Sequence, residues 1–504
     1  MRGKDNGAMT SEQPTVARQI ERILDEDTAA TVQVLVHVDH SVERDDLPAR
    51  RPALTTRDVL PEPVRAARSA AIRAGADEGG VPLGRPEAPK FAAAQPPSPS
   101  VAELRRANTA ALEPLLSTEP VRRSRANRAD AVTTFWTSRS ALLELTRDDL
   151  ARLLAEHPGV VEVVSNERFS LPPVAQARDL PSAILENSSA SWGISTTGAL
   201  AVWGGYGARG AGVTVGVLDT GVDANHPDLA GKVAKFAEFD ANGQLVADAQ
   251  PHDSDKHGTH VCGTIAGGNA SGQWIGMAPE ARLAVGLVLK GGSGTSAQVL
   301  AGIDWAVEQH VDVLSMSLAA ALFGPVAPNT YSTAFRSCLR AGIPVVAAIG
   351  NQGAQTGAST GSDFFAFAVG ATDYRDVSAG FSGGQTEVVT QSDVIPPRFL
   401  PLIYTKPDVS APGVGITSAV PGASWAALSG TSMATPHVAG AMALLLSAVP
   451  AIRTELTGAE RAFFLQDTIS GSADEFGEAG ADQRYGYGRL NVLRAIALGR
   501  QPAA

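Results

Sequence analysis

Two periods of apolar residues organise this chain. Short, β-branched runs at 213–218, 282–289, 311–316, 344–349 and 365–369 carry few polar residues, the pattern of strands buried on both faces. Helical spacing fills the stretches between them, and such alternation predicts an α/β fold: a mostly parallel sheet covered by helices on both sides. The run 439–446, behind a Gly-Thr-Ser turn, predicts a buried helix. Before residue 192 the pattern differs. Residues 31–38 predict a strand, 101–116 a helix, 131–145 a strand and 160–164 another. Thr146-Arg147-Asp148-Asp149 is a helix start of the capping-box kind, with Asp for Glu, and the helix 148–156 stops at His157-Pro158-Gly159. These elements predict a separate small α+β domain.

Punctuation between the periodic stretches sets the boundaries. Residues 1–30 are polar and expected to be flexible, apart from a short helix at 16–24. Within 31–171, a long insertion includes the proline-rich 85–99 (Pro86, Pro89, Pro96, Pro97, Pro99), expected to be a linker or exposed loop. Arg122, Arg123, Arg125 and Arg128 are expected on a solvated face or an exposed loop. Residues 172–191, with Pro172, Pro173 and Pro181, lack periodicity and form a connector; 192–498 is the large α/β domain.

Bulk properties narrow the partners. The chain has 504 residues and a formal charge of -11, which argues against nucleic acid. No apolar stretch approaches a membrane span, so no membrane partner is expected. Met1 to Met9 shows no apolar segment followed by a small-residue cleavage site, so a cytoplasmic location is expected, with secretion left open. Cys262 and Cys338 read as small buried hydrophobes rather than a disulfide.

Four residues stand where strands end or helices begin. Asp219 closes Val215-Gly216-Val217-Leu218-Asp219-Thr220-Gly221, so a carboxylate sits at a strand's C-terminal edge. His257 opens His257-Gly258-Thr259-His260-Val261-Cys262-Gly263. Asn351 follows Val345-Val346-Ala347-Ala348-Ile349-Gly350. Ser432 lies in Gly430-Thr431-Ser432-Met433-Ala434-Thr435-Pro436-His437, at a helix start, where unpaired N–H groups favour negative charge. Singly, they read as a turn former, a core histidine, a strand-end cap and a helix cap. A serine nucleophile, however, needs a base, a group that orients the base, and donors for the oxyanion.

The four motifs, in the order Asp, His, Asn, Ser, resemble the subtilisin-like serine proteases, the subtilase family. That resemblance implies a three-layer sandwich over 192–498, and for 31–171 a propeptide-like domain. It implies peptide-bond hydrolysis through an acyl-enzyme: His257 as base and then acid, Asp219 orienting it, Ser432 attacking, and the Asn351 amide binding the oxyanion with the Ser432 N–H. These roles are carried over from subtilisin. Gly292-Ser293-Gly294 and Ser317-Leu318-Ala319 match the segments that pair with an extended substrate. Ala319 and Ala320 replace glycines, and their added methyl groups either narrow the primary pocket or are absorbed by a small shift. Ser296 replaces a bulky aromatic and is expected to leave an outer subsite more open.

The resemblance also touches metals and regulation. Asp228 matches a family calcium ligand, but Ala270 falls where a side-chain ligand is usual and cannot coordinate an ion that wants six to eight oxygens. No cofactor is expected to be required; Asp228 is a weak calcium candidate, with carbonyls of the loop Gly268 to Trp274 and the adjacent Asn269 as the other groups on offer. Asp223, His226 and Asp255 fit no zinc spacing. The stretch 386–406 is inserted relative to the family, as a packed loop or an exposed apolar arm. The expected partners are polypeptide substrates and the chain's own N-terminal domain, acting as an intramolecular inhibitor and cut off between 171 and 191. The rival expectation is a partner-gated protease or binding module that retains this domain.

Overall fold

The computed structural model describes residues 15–16, 31–38, 99–128, 131–157, 159–171, 175–176, 189–318, 320–325, 329–390, 392, 394–395 and 397–500. Residues 85–98 of the proline-rich linker, Ala319 and most of the connector lie outside the described residues, as does most of the expected flexible N-terminus.

Strand β1 (Thr15–Val16) stands where a short helix was expected, and the rest of that expected helix lies outside the described residues. Then come β2 (Thr31–Val38), α1 (Val101–Leu116), α2 (Glu119–Asn127), β3 (Val132–Phe135), β4 (Ser140–Thr146), α3 (Arg147–Glu156) and β5 (Val160–Ser165). They form a sheet in the order β1-β5-β2-β4-β3, with only β1 and β5 parallel. The basic cluster is helical, with Arg122, Arg123 and Arg125 exposed on α2.

Strand β2 shows why this sheet is buried on both faces. Val32, Val34, Val36 and Val38 point one way, into a core with Leu112, Leu115, Leu150 and Leu153. Leu35 points the other way and joins Leu104, Phe135 and Leu142 in the core of the large domain. The stretch 131–145 is therefore not one strand. Residues 136–139 make a tight turn, with Arg139 at φ 49°, and its backbone N–H groups find a partner in the other domain.

Two short strands follow, β6 (Arg168–Ser170) and β7 (Ala175–Gln176), then helices α4 (Trp192–Thr196) and α5 (Ala199–Tyr206). Beyond them the strands and helices alternate as expected. The run is β8 (Thr214–Asp219), β9 (Val233–Glu238), α6 (His257–Ala266), β10 (Arg282–Leu287), β11 (Ser293–Thr295), α7 (Ser296–Glu308), β12 (Val313–Met316), β13 (Ala321–Leu322), α8 (Ser332–Arg340), β14 (Val345–Ala348), β15 (Gly357–Ala358) and β16 (Phe367–Thr372). The chain closes with β17 (Gln385–Val389), β18 (Leu402–Lys406), β19 (Val409–Pro412), β20 (Ile416–Val420), β21 (Ser424–Ser429), α9 (Thr431–Ala448), α10 (Ala451–Glu455), α11 (Gly458–Ser472) and α12 (Val492–Gly499).

Seven of these strands form a parallel sheet in the order β19-β16-β14-β12-β8-β10-β9. Alternate residues along each strand feed opposite cores. Val215, Val217, Val313 and Val346 pack with Val261, Ile265 and Met442 of α6 and α9. Leu218, Leu314 and Val345 pack with Leu300, Ile303 and Phe335 of α7 and α8. The result is a three-layer sandwich. Its two edge strands, β9 and β19, escaped the sequence reading: β9 carries Lys235 and Glu238 on a partly exposed edge, and β19 is four residues ending in Pro412. The inserted stretch forms the antiparallel hairpin β17–β18, with Val389, Leu402 and Tyr404 buried and Ile403 exposed. Both cysteines are free and buried.

Candidate active site

Three neighbouring central strands, β14, β12 and β8, end at one edge of the sheet. In a parallel sheet their C-terminal ends all face the same crevice. Asp219 is the last residue of β8, Ser317 follows β12, and Asn351 lies three residues past β14. His257 opens α6, and Ser432 is the second residue of α9, which packs against α6.

Asp219 and His257 are joined directly. Asp219 Oδ1 lies 2.7 Å from His257 Nδ1, and both side chains are buried. The carboxylate also accepts from the Thr220 N–H at 2.8 Å. With an acid on Nδ1, that nitrogen carries the proton and Nε2 is the basic atom. Burial by itself would lower the imidazole pKa, but the Asp219 charge and hydrogen bond, with Asp253 and Asp255 adding to them, leave it raised above 6.5. His257 Nε2 is buried and finds no hydrogen-bond partner among the described residues. The close approach of these two segments requires Gly258, since a Cβ there would fall 2.1 Å from the Gly221 carbonyl oxygen. The Gly258 N–H instead donates to Thr220 Oγ1 at 2.8 Å, which in turn donates to Asp253 at 2.7 Å.

Ser432 Oγ donates to the Ser317 carbonyl at 3.3 Å rather than to His257. Asn351 is fixed from behind. Its Oδ1 accepts from the N–H and the hydroxyl of Thr431, both at 2.9 Å. A backbone N–H can only donate, so this contact identifies the oxygen and turns the amide NH₂ the other way. Asn351, Ser432, Ser317, Leu318, Ala320 and Ala358 all line one open cleft.

The cleft holds a segment of the chain itself. Strand β6 pairs antiparallel with β11, Phe169 opposite Gly294 and Ser170 opposite Ser293, and the Leu171 N–H donates to the Gly292 carbonyl at 2.8 Å. Leu171 also lines the cleft. Gly294 is needed for β11 to lie against the turn after β10: a Cβ there would meet the Val288 carbonyl oxygen at 2.4 Å. Just beyond, β7 pairs with β21, Ala175 opposite Ser429 and Gln176 opposite Leu428. Strand β7 thus lies beside the segment that leads into Ser432, with β20 on its other side.

A second contact, away from the cleft, ties the N-terminal sheet down. Asp304 on α7 accepts from the Trp136 N–H at 2.8 Å and the Thr137 N–H at 2.9 Å, as well as from the Thr137 hydroxyl. Burial pushes its pKa up to about 7 against these hydrogen bonds. Glu308, one turn on, takes the Trp136 indole N–H at 3.1 Å and Arg105 at 3.0 Å. The first turn of α7 is capped by the N-terminal segment as well, with Ser296 N–H on the Glu167 carbonyl and Ala297 N–H on Asn166 Oδ1, both at 3.0 Å. The sequence reading missed Asp304. Its signal was an acid at a buried position of an apolar helix face, which demands a partner.

One expectation needs correction. Ser296 does not open the outer subsite: it is buried, and Tyr331, at the start of α8, fills the space and donates its hydroxyl to Ser296 Oγ at 3.3 Å. Asp228, the candidate calcium ligand, is engaged by hydrogen-bond donors. Its carboxylate is already committed to N–H donors, the Ala270 amide at 2.6 Å and the Trp425 indole at 2.7 Å, and the Lys232 ammonium acts on the same charge. Asp223 and His226 are likewise engaged, with the Gly422 N–H at 3.1 Å and the Ser424 carbonyl at 2.9 Å. Among the described residues, no group of three or more His, Cys, Asp or Glu could hold a metal, and no helix is long and apolar enough to cross a membrane.

Comparison with known proteins agrees with this geometry. The sequence model of the subtilase family matches residues 210–488. Subtilisin E of Bacillus subtilis (strain 168) is 36% identical over 313 residues, 61% of this chain and 71% of that protein. Subtilisin of Bacillus pumilus is 36% identical over 313 residues, covering 61% of this chain and 98% of that protein. The major intracellular serine protease of Bacillus subtilis (strain 168) is 36% identical over 260 residues, 51% and 74% of the two chains.

Proposed function

Because the chain belongs to the subtilase family and is a serine endopeptidase, we propose that Asp219, His257 and Ser432 carry the reaction and that the N-terminal region inhibits it from within. His257 Nε2 takes the Ser432 proton as the hydroxyl attacks a peptide carbonyl, then returns it to the leaving amine. Asp219 holds the tautomer and stabilises the imidazolium. The Asn351 amide and the N–H groups at the start of α9 receive the oxyanion. Substrates are polypeptides bound extended, adding a strand to Gly292, Ser293 and Gly294 on one side, with Ser317, Leu318 and Ala319 on the other.

The observation that carries the zymogen reading is the pairing of β6 with β11, continued by the Leu171 N–H on the Gly292 carbonyl. On this reading the chain's own segment pairs beside the cleft, with Leu171 on its wall, in the way an extended substrate would. Residues 31–171 act on this reading as the inhibitor, 172–191 as the segment that is cut, and 192–498 as the enzyme. Incubating the intact protein beside Ser432→Ala and weighing both tests it. The wild type should lose a fragment ending between 171 and 191 while the variant stays whole. Both chains remaining intact would favour a retained N-terminal domain instead.

A further inference from the structure

Pro436 stands inside α9, four residues after Ser432. In a regular helix the N–H at that position would bond the Ser432 carbonyl; proline has none. A carbonyl left unpaired in a buried site is costly, so another donor is expected there. The structure supplies one from outside the helix. The Ser317 hydroxyl donates to the Ser432 carbonyl at 2.9 Å, in a buried contact between residues 115 apart. The Ser432 hydroxyl points back to the Ser317 carbonyl at 3.3 Å. Each serine therefore donates to the other's backbone oxygen, and the two are only 1% and 5% exposed.

We infer that the Ser317 side chain is a positioning residue for the nucleophile. By taking the carbonyl that Pro436 leaves free, it fixes the first turn of α9, and with it the direction of the Ser432 Cβ–Oγ bond. This is separate from the role its segment has in binding substrate, which would use backbone groups. The inference rests on the reading of Ser432 as the nucleophile. It explains a proline inside a helix that opens on the reacting residue: an external donor can couple that turn to β12, the central strand ending just before Ser317, whereas a helical bond could not.

The test pairs Ser317→Ala with Pro436→Ala in the full chain, incubated to constant activity and measured on a chromogenic peptide. Ser317→Ala should lower kcat about tenfold while KM stays within about twofold, the signature of lost transition-state alignment rather than lost binding. Adding Pro436→Ala restores an N–H at the fourth position, which should recover most of the rate. An unchanged kcat in Ser317→Ala overturns the inference, and so does a loss that the double variant keeps. If Pro436→Ala alone proves as slow as Ser317→Ala, Ser317→Thr decides, because it retains a hydroxyl: a recovered rate supports the inference and an unrecovered one overturns it. Labelling with a fluorophosphonate separates the two failures. A wild type that does not label at Ser432 removes the nucleophile and this inference together, whereas equal labelling rates for wild type and Ser317→Ala remove the inference alone.

Discussion

Asp219 Oδ1 meets His257 Nδ1 at 2.7 Å across a contact sealed from solvent, and this pair decides which nitrogen of the imidazole is free to act. Asp219→Asn keeps the shape but places an amide where the acceptor was, which favours the wrong tautomer. Its kcat should fall by about 10⁴, a magnitude carried over from other serine proteases with this arrangement. The raised His257 pKa should set the acid limb of kcat/KM above 6.5 in the wild type. Steady-state rates across pH check both, and a fall below about tenfold would count against the assignment of Asp219.

Asp304 is the anchor of the N-terminal sheet. Asp304→Ala leaves the Trp136 and Thr137 N–H groups and the Thr137 hydroxyl without their acceptor, a cost of about 1–3 kcal/mol. In a Ser432→Ala background, which holds the chain intact, hydrogen exchange at Trp136 and Thr137 should quicken at least about tenfold. Unchanged protection would mean that the turn at 136–139 is held by something else.

His37 makes the N-terminal sheet sensitive to acid. Burial lowers its pKa from 6.5 to about 4, partly offset by a backbone hydrogen bond with Ser138. The unfolded chain therefore takes the proton first. Stability is fully present above pH 6.5 and is lost as pH falls toward 4. Between pH 7 and 5 the loss amounts to about 2 kcal/mol. Exchange of β2 amides at the two pH values, compared between Ser432→Ala and its His37→Gln derivative, isolates this group; equal slopes would assign the acid sensitivity elsewhere.

The Asp228 carboxylate is expected to be indifferent to calcium. Asp228→Asn should lower stability by about 1–3 kcal/mol, because an amide cannot accept at both positions from Ala270 and Trp425. Thermal melts with excess calcium and with a chelator should shift equally in the wild type and the variant. A calcium-dependent rise that Asp228→Asn abolishes would place the cation there.

Much of this architecture is legible without coordinates, for a local reason. Asp219, His257, Asn351 and Ser432 each sit where an apolar run stops or a helix starts, so their positions are marked by the change of pattern around them. The parallel sheet is legible because its central strands are apolar on both faces. What is not legible depends on partners far away in the chain. The turn at 136–139 looks like the middle of a strand until Asp304, 167 residues on from Thr137, takes its N–H groups. Ser296 reads as an opening until Tyr331 fills it. The hairpin β17–β18 hides in a proline-interrupted stretch whose pairing is set by its register, Val389 with Leu402 and Gln385 with Lys406.

The central claim is that Ser432 is the nucleophile and His257 its base. Labelling the full chain, incubated to constant activity, with a fluorophosphonate and locating the adduct by peptide mass spectrometry tests it most directly. A single adduct on Ser432, lost in His257→Ala, is the expected result. An adduct on another residue, no adduct at all, or labelling of Ser432 that survives unchanged in His257→Ala would contradict it.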